Sequence, residues 1–116
     1  VLTGVTPAMD IAQNLEVFGP VFPLIKFKTE EQAVAIADNC TYGLSSGVIS
    51  GEIQRAIRVA RQLDAGNCTN GTGLYRTHDM PFGGHRKSGL GTEGLYATLD
   101  EFTKTKTYVW KGAAIR

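Results

Sequence analysis

Cys68 carries a thiol, the most nucleophilic type of side chain in the sequence. His78 and His85 follow it ten and seventeen positions later. A catalytic thiol needs a base, a helix N-terminus or a cationic neighbour to favour the thiolate. Cys68 instead stands in a short run that predicts a buried strand, which is a poor environment for a thiolate. Neither Cys68 nor Cys40 has a CxxC neighbour, so we expect two buried free thiols in a reducing compartment, with no metal site and no disulfide.

A second chemical pattern is the stretch Gly89-Leu90-Gly91-Thr92-Glu93-Gly94, which has the literal spacing G-x-G-x-x-G. A dinucleotide-binding fingerprint needs an apolar strand directly before it and an acidic residue about 20 positions later. Here the basic residues 85–87 precede it, and no acid stands near Trp110. The pattern therefore does not predict a Rossmann phosphate site.

The elements that must position any site alternate between strands and helices. Strands are predicted at 21–27, at 47–49 and at 67–69. Thr29 is the expected N-cap of a helix, with Gln32 completing a capping box, and Ser50 is the expected cap of a second, strongly amphipathic helix. Short apolar strands separated by amphipathic helices predict an α/β fold, with a mostly parallel sheet between two helical layers.

Two regions fall outside this alternation. Residues 70–93 are rich in glycine and have little periodicity, and a loop of that length in a compact domain is usually functional. A further helix is predicted around Leu95 and Leu99, and residues 103–110 then alternate as a strand. A strand at the end of a chain must be paired or covered, so we expect it to join another subunit or a distant segment.

The bulk composition excludes some partners. Twelve basic and eleven acidic residues give a formal net charge of +1. This balance favours neither nucleic acid nor an anionic membrane surface, and no apolar run approaches the ~20 residues of a membrane span. The 116 residues allow one domain of ordinary size. The chain begins inside an apolar run, Val1-Leu2-Thr3-Gly4-Val5, so we expect it to be cut from a longer protein.

Several segments, taken together and in order, resemble the aldehyde dehydrogenase superfamily. Glu16 to Val21 reads E-V-F-G-P-V and is similar to the family's E-x-F-G-P-V. Pro81 to Glu93 is similar to its P-F-G-G-x-K-x-S-G-x-G-x-E, with one extra residue before Lys87 and none between Lys87 and Ser88. Three further matches stand at 39–44, 65–70 and 101–107. The resemblance thus runs through essentially the whole chain.

The resemblance implies a role for three residues near the cofactor and the reaction centre. Glu16 matches the carboxylate that holds a ribose of NAD or NADP, and Phe18 matches an aromatic residue that packs against the nicotinamide. Glu93 matches a glutamate that handles protons or water during thioester hydrolysis. As simpler readings, Phe18 could be a core aromatic residue and the two glutamates could be helix-end or turn acids.

The resemblance also implies a substrate side and an assembly. Asn70, Tyr75, Arg76 and Phe82 fall where the family builds its aldehyde tunnel. Arg76 could pair with an anionic substrate group, although a solvent-facing arginine is the simpler reading. The terminal strand implies a homodimer or homotetramer. We expect residues 1–102 to be the C-terminal part of the catalytic domain, residues 103–116 to be an oligomerisation strand and tail, and the location to be the cytoplasm.

Family chemistry uses a cysteine nucleophile, a general base and a dinucleotide-binding sheet that lie upstream of the matched region. We therefore expect the chain alone to be inactive and to act as part of an oxidoreductase that converts an aldehyde to a carboxylic acid with NAD or NADP. Two alternatives stay open: a non-catalytic assembly module that pairs with a full-length subunit, and a relative with acylating or phosphate-reducing chemistry.

Overall fold

A computed structural model describes residues 1–71 and 76–112 of the chain. Its regular elements are short. The helices are α1 (Glu30–Ala37), α2 (Ile53–Ala60) and α3 (Leu95–Phe102), and a single 3-10 turn spans Asp10–Ala12. The strands are β1 (Tyr42–Gly43), β2 (Ser45–Val48), β3 (Asn67–Asn70) and β4 (His85–Arg86). The mixture confirms the α/β class.

The strands form two small sheets. β2 and β3 pair in parallel, with Ser45 opposite Asn67 and Val48 opposite Asn70, and α2 is the crossover between them. This β2–α2–β3 unit is the predicted βαβ arrangement. β1 and β4 pair antiparallel over two residues, so the described residues contain one parallel and one antiparallel two-stranded sheet.

The start of α1 agrees with the sequence. Thr29 is the N-cap, and its hydroxyl oxygen accepts a hydrogen bond from the backbone amide of Gln32 at 3.2 Å. The Gln32 side chain accepts from the amide of Lys28 at 2.8 Å, one residue before the N-cap amide that the predicted capping box would use. Glu30 then joins α1 to α2 through ion pairs with Arg55 and Arg58.

Three local predictions are wrong. Residues 21–27 form no regular strand, because only one bridge, from Leu2 to Pro23, reaches them. Ser50 does not cap α2: the N-cap is Glu52, and the Ser50 hydroxyl accepts from the Glu52 amide ahead of the helix. Cys68 is exposed rather than buried, since its strand borders open clefts instead of a packed layer.

The described residues bury little apolar surface. Among them, Val5 and Ala56 are the buried hydrophobic residues, at 9% and 2% exposure. A compact domain of this length has a radius of gyration of about 13 Å, whereas the Cα radius of gyration here is 20.6 Å. Apolar side chains such as Phe102, which is 87% exposed, are therefore open to contact with another surface.

The segment 103–112 extends away from α3 and pairs with no strand among the described residues. Its backbone is extended at Thr103, and the rings of Tyr108 and Trp110 stack with their centroids 5.4 Å apart. Lys106 lies over the Tyr108 ring at 5.0 Å. Lys106, Tyr108 and Trp110 are two positions apart and lie on the same side of the backbone. This is the alternation of side chains that an extended chain shows and that the sequence predicts.

Candidate functional site

Phe82 and Glu93 form the centre of the candidate site. They face each other in an antiparallel bridge, in which each backbone amide donates to the other's carbonyl at 2.8 Å. A residue pair of this kind places both side chains on the same side of the backbone, close together. The bridge thus brings together two residues that are eleven positions apart in the sequence.

Arg76 completes this centre. Its guanidinium donates to Oε2 of Glu93 at 2.5 Å and lies 4.3 Å from the centroid of the Phe82 ring. The Arg76 side chain is 38% exposed and that of Glu93 is 69% exposed. Arg76 is therefore engaged on two sides and is not the purely solvent-facing arginine of the simpler reading. We call Arg76, Phe82 and Glu93 the Arg–Phe–Glu cluster.

The cluster borders an open cleft of about 630 Å³, which we call the Glu93 cleft. Acid, base and aromatic groups share its wall with glycines and small residues. The lining side chains include Leu44, Arg76, His78, Phe82, Ser88, Leu90, Thr92, Glu93 and Thr98. Near its edge the Thr77 hydroxyl donates to the carboxylate of Asp79, which lowers the pKa of that carboxyl and keeps it ionised.

Glu16 lies in a second cleft of about 440 Å³, which we call the Glu16 cleft. Leu44 and Ser88 line both clefts, so the two are adjacent. The Glu16 carboxylate is exposed and makes no hydrogen bond with the described residues. Both of its oxygens are thus able to accept hydrogen bonds, and a pair of ribose hydroxyls could donate to them, which fits that part of a dinucleotide.

The remaining residues predicted from the sequence are not gathered into these clefts. Phe18 is 93% exposed and lines neither of them. Asn70 ends β3, opposite Val48, and is likewise outside both linings. Tyr75 lies outside the described residues.

Cys68 lies on the far side of the cluster, in a small cleft of about 180 Å³ that Arg76 and Phe82 also line. Its sulfur has a contact to the Thr69 carbonyl at 3.9 Å. In the described ranges neither histidine hydrogen-bonds to it. His85 is engaged elsewhere, with Nδ1 at 2.8 Å from Asp64. Cys68 therefore lacks the paired base that an activated thiol requires.

Arg86 is the residue that sequence reasoning missed. Its guanidinium donates to the carbonyls of Asp38 and Asp64 at 3.1 and 2.9 Å, donates also to the carbonyl of Cys40, and pairs with the Asp64 carboxylate at 2.9 Å. Its backbone has a positive φ of 54°. Arg86, rather than Lys87, is the basic side chain that fixes this segment. The run His85-Arg86-Lys87 is the sequence feature from which a structural role for a basic residue here could have been predicted.

Lys87 and Ser88, the two residues that follow Arg86, also fix the glycine-rich segment. The Lys87 amide donates to the Thr41 carbonyl at 2.9 Å, and the Ser88 hydroxyl accepts from the Gly43 amide at 2.9 Å. These contacts hold the shared wall of the two clefts against β1. The segment from Gly89 to Gly94 leads into α3, whose N-cap is Gly94, but Lys87 and Ser88 directly before it form a turn and not the apolar strand that a phosphate-binding fingerprint needs.

Within residues 1–71 and 76–112, no helix has the length and apolar character to cross a bilayer. The same residues contain no group of three or more His, Cys, Asp or Glu side chains arranged to hold a metal ion.

These features define an α/β chain with two adjoining clefts, one carrying an unpaired carboxylate and the other an arginine-held carboxylate. The sequence pattern of the aldehyde dehydrogenase family matches residues 1–108. The chain belongs to the aldehyde dehydrogenase family, and the predicted resemblance is confirmed.

Individual relatives agree with this assignment. A lactaldehyde dehydrogenase of Methanococcus maripaludis (strain C5) is 45% identical over 101 residues, which are 86% of this chain and 22% of that protein. The crystal structure of an NAD-dependent aldehyde dehydrogenase from Sinorhizobium meliloti is 40% identical, with a TM-score of 0.82 over 87% of this chain and 20% of that one. A Staphylococcus aureus betaine aldehyde dehydrogenase in complex with NAD+ is 35% identical, with a TM-score of 0.81 over 85% and 19% of the two chains.

The chain thus spans about a fifth of the length of the relatives that it matches.

Proposed function

We propose that this chain is the C-terminal part of an NAD(P)-dependent aldehyde dehydrogenase that oxidises an aldehyde to a carboxylic acid. The observation that carries the proposal is the 40% identity and TM-score of 0.82 with an NAD-dependent aldehyde dehydrogenase. In such an enzyme a cysteine thiolate would add to the aldehyde carbon, loss of a hydride to the nicotinamide cofactor would convert that adduct into a thioester, and water would then hydrolyse the thioester.

On the cofactor side, Glu16 is proposed to hold a ribose of NAD or NADP through its two free carboxylate oxygens. Phe18 is proposed to pack against the nicotinamide portion, and its 93% exposure leaves the ring available for that contact. The bound cofactor supplies the acceptor for the hydride. NAD is favoured by the relatives, two of which are described as NAD-dependent or as NAD+ complexes.

On the substrate side, Asn70, Tyr75, Arg76 and Phe82 are proposed to form part of an aldehyde tunnel. Arg76 and Phe82 support this role because both line the open cleft of about 630 Å³. Glu93 is proposed to assist the water that hydrolyses the thioester. Its carboxylate is exposed and lies in the same cleft.

The nucleophile and the general base are proposed to come from residues outside this chain, since Cys68 has no paired base. The isolated chain is accordingly proposed to be inactive. Its many exposed apolar side chains support a larger three-layer αβα fold that covers them. Its two free cysteines suit a reducing compartment such as the cytoplasm.

We propose further that residues 103–116 join a homodimer or homotetramer through an added strand. The extended segment from 103 to 112 is exposed, and its backbone is unpaired among the described residues, which supports this role. The same segment favours the second candidate, a non-catalytic assembly module. Co-purification of the chain with an intact enzyme, without gain of activity, would favour the module.

The test uses a hybrid enzyme, in which this chain replaces the matching segment of the Methanococcus maripaludis lactaldehyde dehydrogenase. We expect the hybrid to oxidise lactaldehyde with NAD or NADP, measured by absorbance of the reduced cofactor. The relative lacking that segment and the isolated chain are the controls, and both should show no turnover above the free-thiol background. A folded but inactive hybrid would contradict the proposed function, and turnover by the isolated chain would contradict its inactivity.

A further inference from the structure

We infer that Arg76 is a positioning residue that holds Glu93 in the orientation needed for thioester hydrolysis, an inference that rests on the proposed function. Three contacts carry it: the Phe82–Glu93 bridge, the Arg76–Glu93 ion pair and the position of the Arg76 guanidinium over the Phe82 ring. Each fixes one member of the Arg–Phe–Glu cluster relative to another.

The ion pair uses only half of the carboxylate. Arg76 donates to Oε2 of Glu93 at 2.5 Å, and among the described residues Oε1 has no hydrogen-bond partner. This contact restrains one oxygen of the carboxylate, while its other oxygen stays free to accept a hydrogen bond. Glu93 lines the Glu93 cleft, so Oε1 is available to a water molecule there.

Phe82 acts as the platform for this arrangement. A guanidinium within about 6 Å of a ring centroid is attracted by the face of the ring, and the Arg76–Phe82 separation is 4.3 Å. The backbone that carries the ring is fixed by the two hydrogen bonds to Glu93. Arg76 thus contacts an aromatic face, and among the described residues it pairs with no second carboxylate that would compete with Glu93.

The chemical consequence concerns the second half of the reaction. Water adds to the acyl carbon, the carbon–sulfur bond breaks, and the proton released by the water ends on the departing thiolate. Glu93 Oε1 accepts a hydrogen bond from that water and so aims its oxygen at the acyl carbon. Displacement of such a group by about 1 Å can reduce a rate by about a hundredfold.

The experiment compares Arg76→Gln, Glu93→Gln and the double variant in the hybrid enzyme. We expect Arg76→Gln to lower kcat by about tenfold to a hundredfold, with KM for the aldehyde within about twofold of the unsubstituted hybrid. The first turnover, seen as a burst of reduced cofactor, should persist because it precedes hydrolysis. Arg61→Gln is the matched control, since this exposed arginine at the C-cap of α2 lines neither cleft, and it should leave kcat unchanged.

A second readout needs no cofactor. An activated ester acylates the enzyme's nucleophilic thiol, and intact-mass measurement follows the decay of the acyl-enzyme. We expect the adduct to persist about tenfold longer or more in Arg76→Gln. Arg76→Lys, which keeps the charge but loses the planar fork, should fold normally and show an intermediate lifetime.

The double variant separates positioning from a general structural role. If Arg76 acts through Glu93, the double variant should be no slower than Glu93→Gln alone. The inference would be overturned if the kcat losses of the two single variants multiplied in the double variant, or if Arg76→Gln left kcat unchanged. An active unsubstituted hybrid would in either case still support the proposed function. An inactive unsubstituted hybrid would contradict both.

Discussion

The β2–α2–β3 unit and the glycine-rich segment 76–94 are stabilised in different ways. The unit depends on repeated contacts: a parallel ladder of four residue pairs and a helix that presents the buried Ala56. The segment has a two-residue strand and one bridge, and otherwise depends on individual side chains such as Arg76, Arg86 and Ser88. In the first region, neighbouring contacts of the same ladder still hold the structure when one contact is lost. In the second region no equivalent contact takes over.

The largest effect is expected where the two regions touch. A Cβ at Gly66 would lie 1.8 Å from the Gly83 carbonyl oxygen, so Gly66→Ala must push the segment away from β3. We expect a loss of about 3 kcal/mol or more in the free energy of unfolding. The measurement is the urea midpoint of the hybrid enzyme. Gly51→Ala is the control, because its Cβ meets nothing within 4 Å, and it should change stability by less than about 0.5 kcal/mol.

A smaller effect is expected inside the segment. Arg86→Met removes hydrogen bonds to the carbonyls of Asp38 and Asp64, together with an ion pair to the Asp64 carboxylate. Because these acceptors lose their partner, we expect a loss of about 2 kcal/mol. Lys87→Met, one residue later, should cost less than about 0.5 kcal/mol. Equal losses for the two variants in urea unfolding would show that Arg86 has no special role.

The difference between the regions also explains what the sequence could predict. The periodic apolar residues of α2, the Thr29 cap and the strand at 67–69 are local patterns, and the structure contains all three elements. The contacts of Arg86 join residues 22 to 48 positions apart, and no local pattern specifies them. Phe82, Glu93 and Arg76 were selected through the family resemblance, but their mutual contacts follow from an antiparallel bridge that the spacing did not indicate.

The failed strand at 21–27 has a related cause. Its nearly continuous apolar residues have the right composition, but a strand exists only with a partner, and here a single bridge to Leu2 reaches it. The same holds for residues 103–110, whose strand stays a prediction because its proposed partner is another subunit. Local propensity thus predicts helices of this chain better than strands.

The smallest effect is expected at the surface of the first region, where Glu30 pairs with Arg58 at 2.7 Å and with Arg55 at 3.2 Å. The hydrogen bond from Arg58 holds the pKa of the Glu30 carboxyl below its ordinary value of 4.5. The stabilisation is therefore fully present above that ordinary value and is lost as the pH falls through the lowered pKa.

Glu30→Gln should accordingly be slightly less stable than the unsubstituted protein at neutral pH, and the difference should vanish in acid. Thermal unfolding midpoints of the two proteins across this pH range provide the measurement. Added salt should reduce the difference at neutral pH, since both side chains are exposed. A difference that grows in acid would mean that the pair does not stabilise the fold.

The stacked pair of Tyr108 and Trp110 has a spectroscopic consequence. Trp110 is the one tryptophan in the sequence and is 77% exposed. Its fluorescence therefore originates entirely from the segment that is proposed to join a neighbouring subunit. Covering that segment would shift the emission to shorter wavelength, so the chain carries its own optical reporter of assembly.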